Sequence, residues 1–304
     1  MIQRTYPAFD KEVATALHIR RAGDISGQQL GQYMLEMMRP LGAQFRQARV
    51  VGIARADRFQ VDVVADGERQ TIKADIIVNA AGPFAAHIAA MHGEKLPMLN
   101  VLQQKIAFVD RNRAVDRKMP FAIDLDGQTL AWSPEEREAL AAAPELARLL
   151  EPMPGSIHRR PDGGDHGQWI KLGWAFNSEP SEPSRDPELT PHFPEVVLRA
   201  ASRLQPALGQ YLGALPRDRV HYGGFYPMTR ENWPLIGAAK TPGVFLTAAL
   251  SGYGTMSTCA AGDLCARAVV GAASPSFAEA LSLARYENRT LMGELESAES
   301  RGLL

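Results

Sequence analysis

Apolar residues recur at helical spacing in the stretch after Ser26: Leu30, Met34, Met37, Met38, Leu41 and Phe45. A serine in front of such a stretch satisfies first-turn N–H groups, so Ser26 is the expected cap. Pro40 has no N–H to give and ends or kinks the helix. Strand-like runs follow over 49–53, 59–65 and 69–73. Asp66-Gly67 between the second and third predicts a tight hairpin, because both residues accept a positive φ. The segment 75–82, Asp-Ile-Ile-Val-Asn-Ala-Ala-Gly, reads as a buried-type strand that ends on a glycine turn.

Residues 101–110 again read as a strand. Ser133-Pro-Glu-Glu136 has a capping hydroxyl, a proline at the first helical position and acids in the first turn, which together predict a helix start. From Met153 to Pro191 the chain is rich in Pro, Gly and Asp, with a strand-like insert at 168–174. A helix is predicted from near Pro194 toward Tyr211. The last third carries an apolar strand (243–250), a Ser-Gly-Tyr-Gly turn (251–254), a helix rich in small residues (255–270) and a final helix (277–291). The run Ala260-Ala261-Gly262 would let the small-residue helix press against strands. These elements predict an α/β (α+β) fold in two domains, the first discontinuous in sequence.

With 45% hydrophobic and 22% charged residues, the 304-residue chain can bury a real core. Its 33 basic and 34 acidic residues leave no electrostatic footprint for nucleic acid. Two cysteines, Cys259 and Cys265, exclude a disulfide scaffold. The first ten residues carry charges and a proline where a signal peptide needs an apolar run. No stretch approaches the ~18 apolar residues of a membrane span. A soluble, reduced, cytoplasmic protein is expected.

The strand at 243–250 runs into Ser-Gly-x-Gly and then a helix. Such a junction aims unpaired backbone N–H groups and the positive helix end at one spot, which suits a carbonyl, a phosphate or a delocalised anion. Gly252 and Gly254 would let a planar ligand approach the main chain; a purely structural turn is the alternative. Asn79-Ala-Ala-Gly82 ends a strand in the same way, and two such loops fit one cofactor lying across strand ends. No G-x-G-x-x-G occurs. The two cysteines, six apart on one predicted helix, point to different faces and cannot clip a metal. The histidines show no ligand spacing. Asp162, Asp165 and His166 read as a solvated turn, and Ser251 is not in a G-x-S-x-G elbow. Arg159-Arg160 and Arg20-Arg21 read as solvated surface.

Three blocks resemble the FAD-dependent oxidoreductases of the D-amino-acid oxidase superfamily, the group with glycine oxidase and monomeric sarcosine oxidase. They are Gly42 to Gly82, Gly224-Phe-Tyr-Pro-Met-Thr-Arg-Glu-Asn-Trp-Pro-Leu-Ile-Gly237, and the Ser251-Gly-Tyr-Gly254 segment with its helix. The resemblance implies an incomplete Rossmann-like FAD-binding domain, discontinuous over 1–93 and 223–304, and a mixed β-sheet substrate domain over 94–222. It implies oxidation of a C–N bond in a small amine or amino-acid-like substrate, with FAD carrying the chemistry. By position, Val50 resembles the residue whose backbone meets the adenine. Ala80, Ala81 and Gly82 resemble the loop near ribose and pyrophosphate. Gly237, Ser251, Gly252, Tyr253, Gly254, Thr255 and Met256 resemble the loops around the flavin ring. Lys171 looks like the lysine beside the flavin that promotes oxygen reduction, with a strand-edge lysine as the alternative. Tyr226 falls where such enzymes place an active-site tyrosine or a carboxylate-binding arginine.

The departures also carry information. Tyr226 and Met256 stand where a charged carboxylate clamp would be, which removes the charge-assisted bonds a small carboxylate needs. Arg159, Arg160 or Arg230 would be the substitutes at hand. Gly224 stands at the place of a flavin-linking cysteine, so non-covalent FAD is expected. The family's first strand and glycine fingerprint lie upstream of residue 1, so the chain reads as entering mid-fold and is expected to bind flavin poorly by itself. A truncated sequence, a partner chain or oligomer that supplies the missing unit, and a non-catalytic remnant or assembly subunit are the alternatives.

Overall fold

The computed structural model describes residues 2–164 and 166–298. After a short helix α1 (Ile2–Thr5) and an irregular stretch, α2 (Gly27–Met38) begins where predicted. Ser26 Oγ accepts from the Gln29 N–H, and the α-helix gives way to a 3-10 turn around Pro40. None of the residues of α2 is buried, and Tyr33, Met37 and Met38 are exposed. Strands β1 (Arg49–Arg55), β2 (Phe59–Ala65) and β3 (Glu68–Ala74) form an antiparallel meander. Asp66 and Gly67 adopt φ of 50° and 82°, the left-handed pair that a two-residue hairpin requires.

Strand β4 (Ile77–Asn79) leads into a 3-10 turn at Gly82–Phe84 and helix α3 (Ala85–Ala90). Strand β5 (Leu99–Val109) and β6 (Ala122–Asp124) precede helix α4 (Pro134–Ala142), which starts on the expected capping box of Ser133 and Glu136. Strands β7 (Ile157–Asp162) and β8 (Trp169–Trp174) come next, then α5 (Phe193–Leu204), β9 (Val220–Met228), β10 (Leu235–Ala238) and β11 (Val244–Ala248). The chain closes with α6 (Gly254–Val270), α7 (Ala278–Leu281) and α8 (Arg289–Ser297). No helix among the described residues is long and apolar enough to cross a membrane.

The result is a mixed α/β fold with three sheets: the meander, a mixed sheet in the order β10-β11-β4, and a five-stranded antiparallel sheet in the order β6-β7-β8-β5-β9. Alternation along the strands gives the five-stranded sheet two unlike faces. One face carries Ile106, Phe108, Ile170, Leu172 and Trp174 onto α5, which buries Phe193, Val196, Val197 and Leu198 against them. Each fully buried side chain of this kind contributes about 1.5–3 kcal/mol. The other face carries Gln103, Lys105, Lys171, Tyr222 and Tyr226.

Several expectations are corrected. The 75–82 strand is not buried on both sides: Ile76 and Val78 are 43% and 49% exposed, while Ile77 and Asn79, which alternate with them, point to the covered face. The helix from Pro194 stops at Leu204 and continues to Tyr211 as a 3-10 segment begun by Pro206. The predicted 277–291 helix is broken at Ser282 and Asn288. Both take extended backbone and use their side chains to cap the next segment instead of continuing the helix. Of the run 260–262, Ala261 alone is buried, since Ala260 and Gly262 lie on the outer face of α6. Arg159 is no surface residue: strand alternation turns it into the core, where it stacks on Phe9 and bonds to Gln205. Burial lowers its pKa to about 10.

Candidate active site

The two glycine-lined loops meet at one rim. Strand β4 runs parallel to β11 with Leu246 opposite Asn79, so both strands deliver their C-terminal ends to the same side of the sheet. Asn79 is 2% exposed and organises the loop after it: its Nδ2 donates to the Ala85 carbonyl (2.8 Å) and its Oδ1 accepts from the Ala81 N–H (3.3 Å). Gly82 sits at φ +55°, the left-handed region that glycine enters without penalty. Ala80 is exposed at the lip, with Ala81 and Gly82 half-buried behind it.

The exit of β11 is more strained. Ala249 (φ 55°) and Ser251 (φ 51°) are both left-handed without being glycine, a conformation that costs on the order of 1–3 kcal/mol and clusters at functional sites. A 3-10 turn over Ser251–Tyr253 then opens α6 with no side chain capping its first turn. Ser251 Oγ is buried and meets no hydrogen-bond partner among the described residues. Gly252, Tyr253 and Gly254 are half-buried, and Thr255 and Met256 are exposed on the first turn. Free helix N–H groups beside an orphaned buried hydroxyl make a donor set suited to an anionic or carbonyl-bearing planar group. An isoalloxazine edge has that chemistry, so these residues fit the flavin end of FAD.

The other nominated positions are distributed as follows. Val50 is half-buried at an irregularity in β1 and packs with Ile53, Phe59 and Val244 under β11. Gly237 (φ +113°) lies inside β10 opposite Leu246, the residue that Asn79 also faces, with Ala268 of α6 4.0 Å from where its side chain would stand. Tyr226 lies on β9 opposite Val101; burial, helped by nearby Tyr222, pushes its phenol up to about 12, so the hydroxyl stays protonated. Lys171 is in the central strand of five, which removes the strand-edge explanation, and pairs with Asp162 at 3.2 Å. Tyr226 and Lys171 share a sheet face, but their register partners on β5, Val101 and Ala107, stand about 20 Å apart along the strand.

Between them lie residues that the linear pattern did not single out. Lys105 faces Gly173 on one side and Tyr222 on the other. A side chain at Gly173 would collide with the His158 imidazole and come within 3.1 Å of the Lys105 stem, so both groups close over this glycine. Burial, with Lys105 nearby, lowers His158 to about 4, which keeps it neutral at pH 7. The loop between β9 and β10 is held by Arg285, which is completely buried. It pairs with Glu231 and donates to the carbonyls of Trp233 (3.0 Å) and Pro234 (2.6 Å). Only strand register and a contact between distant segments reveal these groups. Asp165, of the 162–166 turn, lies outside the described residues.

The profile of the DAO family, described as FAD dependent oxidoreductase, matches residues 2–268. The chain belongs to the DAO family. Within it, D-amino acid dehydrogenase 3 of Mesorhizobium japonicum is 38% identical over 86 residues, which is 28% of this chain and 21% of that protein. Glycine oxidase from Bacillus cereus superposes with a TM-score of 0.60 at 12% identity over 90% of this DAO-family chain and 64% of its own. Iminodiacetate oxidase from a Chelativorans species gives 0.55 at 21% identity, covering 84% and 58%. L-proline dehydrogenase from P. horikoshii gives 0.59 at 18%, covering 86% and 60%. The chain therefore spans less than two thirds of the length of each of these proteins.

Proposed function

We propose that this DAO-family chain is a FAD-dependent oxidoreductase that oxidises a C–N bond of an amino-acid-like substrate, with FAD held non-covalently. The observation that carries this reading is the common rim of the 79–82 and 251–256 loops, with the buried, unpartnered Ser251 hydroxyl and the uncapped start of α6. Bound there, the flavin supplies the two-electron acceptor. Ser251 to Met256 would hold its ring, Ala80 to Gly82 its ribose and pyrophosphate, and Val50 its adenine. Gly237 supports the strand behind. Gly224 offers no thiol for a covalent link. Tyr226 keeps its proton and presents a hydroxyl to the substrate, and Lys171 places a cation on the same sheet face. The amino-acid substrates named for the dehydrogenase and the oxidases above favour an amine or amino acid here.

The exposed edge of β4 and the uncovered apolar side of α2 suit a further strand and helix from a partner polypeptide or another protomer. Two free cysteines, one exposed and one buried, suit a reducing compartment, the cytoplasm.

Titrating the purified chain with FAD while following flavin fluorescence tests the reading. Saturable quenching is expected, with all flavin released by acid precipitation. Absence of saturation would overturn the reading and leave a scaffold without a redox cofactor. In the flavin-loaded, photoreduced protein, Lys171→Met should slow reoxidation by air several-fold without changing FAD affinity. Unchanged reoxidation would leave Lys171 a structural partner of Asp162.

A further inference from the structure

The face of the five-stranded sheet opposite the core carries a charge imbalance. Arg160, Lys171 and Lys105 lie together there, on β7, β8 and β5, with neutral His158 among them. Two carboxylates answer them: Asp162 pairs with both Arg160 (3.1 Å) and Lys171 (3.2 Å), and Asp24 pairs with Arg160 (3.2 Å). Three cations against two anions leave the cluster one negative charge short. The unanswered cation is Lys105. It is half-buried, and no carboxylate among the described residues is within ion-pair distance of it. Burial, with Lys171 and Arg160 nearby, lowers its pKa, the response expected of an ammonium that lacks its counter-ion. Two positions along β5 on the same face, Gln103 gives its Nε2 to the Asn177 carbonyl (2.8 Å), while its Oε1 is buried with no donor in reach among the described residues. A donor-only cation and a vacant acceptor thus stand side by side, about 7 Å apart at the backbone.

We propose that Lys105 binds the substrate carboxylate and Gln103 Oε1 accepts from the substrate amine, so that this strand carries the amino-acid clamp. The proposal rests on the amino-acid reading above and deepens it: the charged partner lost at positions 226 and 256 is supplied from β5. A single carboxylate neutralises the cluster. A neutral isostere leaves Lys105 unanswered, and a dianion overshoots. His158 closes one side without competing for the anion, because it is uncharged. The chain's own carboxylates are occupied with Arg160 and Lys171, which keeps them from collapsing onto Lys105.

Saturation-transfer NMR with acetate, acetamide and glycine on the full chain, with and without added FAD, tests this. Acetate should bind the wild-type chain and acetamide should not. Lys105→Met should weaken acetate by about tenfold or more, and Lys105→Arg should keep it within a few-fold. Gln103→Leu should leave acetate unchanged and weaken glycine. Equal binding of acetate and acetamide, or unchanged acetate binding by a Lys105→Met chain whose thermal midpoint matches wild type, would overturn the proposal. If Lys105→Met fails to fold, a Lys105→Arg chain that folds and yet has lost acetate binding would overturn it equally. Failure of FAD to bind would sink the redox reading while leaving the acetate result to stand or fall by itself.

Discussion

Replacing Arg285 with methionine is expected to destabilise the protein by roughly 3–5 kcal/mol, read as a fall in the urea unfolding midpoint, because it leaves a buried glutamate without its counter-ion. Arg285 is fully buried and the Glu231 side chain is 3% exposed. Besides the ion pair, Arg285 ties down the carbonyls of Trp233 and Pro234 in the loop that joins β9 to β10 and that of Ala280 in α7, so methionine also removes a donor from these backbone acceptors. The Tyr286 hydroxyl also donates to Glu231, at 2.7 Å, beside the Nε and Nη2 bonds from Arg285. If the ion pair dominates, Glu231→Leu added to Arg285→Met should recover part of the loss, since an uncharged, filled site is less costly than half of a buried pair. No recovery would assign the loss to the backbone carbonyls. The same pair sets a pH dependence. Burial by itself would raise the Glu231 pKa, but the bonds from Tyr286 and Arg285 outweigh it and hold the carboxyl below its ordinary 4.5. A carboxylate depressed in the folded state stabilises the fold above its unfolded pKa. This contribution should fade as pH falls below about 4.5, and Glu231→Gln should flatten that part of the stability profile.

Trp174→Ala is expected to cost a similar roughly 3–5 kcal/mol through the cavity it opens. Trp174 is 1% exposed, packs edge-on against Phe176 at 4.9 Å between ring centres, and donates its indole N–H to the Gly155 carbonyl at 3.0 Å. Truncation removes the ring and leaves that carbonyl unpaired. Trp174→Phe keeps most of the packing and should lose less. Trp169, in the same strand but half-exposed at its other end, supplies the control: Trp169→Ala should shift the midpoint far less. Equal losses at the two tryptophans would contradict the assignment of the core to one face of the sheet.

What could be read from the linear chain was what local chemistry decides. Ser26, the Asp66-Gly67 turn and the Ser133–Glu136 box each need a few neighbouring residues to form, and each formed where expected. The end of β11 and its helix were visible for the same reason, as an apolar run broken by Ser-Gly-x-Gly. Burial was harder to read. The apolar residues of 75–82 suggested a doubly covered strand, yet Val78 faces outward, because which face of a sheet a second layer covers is decided by the whole chain. Arg159 has the composition of a surface residue and the strand position of a core one, and position prevailed. Lys105 and Gln103 carried no signal at all in their own neighbourhood. Their meaning comes from β7 and β8, more than fifty residues away, brought alongside by pairing.

The two unlike sides of the five-stranded sheet bear on how variation in this protein is to be interpreted. Along β5, even-numbered positions such as 106 and 108 point into packed hydrocarbon, and odd-numbered ones such as 103 and 105 point toward the proposed ligand. Substitutions at 106 and 108 should therefore lower folded yield, and substitutions at 103 and 105 should alter affinity in a well-folded product. Engineering of selectivity then has a natural address, alternate residues of a rigid strand, whose replacement leaves the hydrocarbon side untouched.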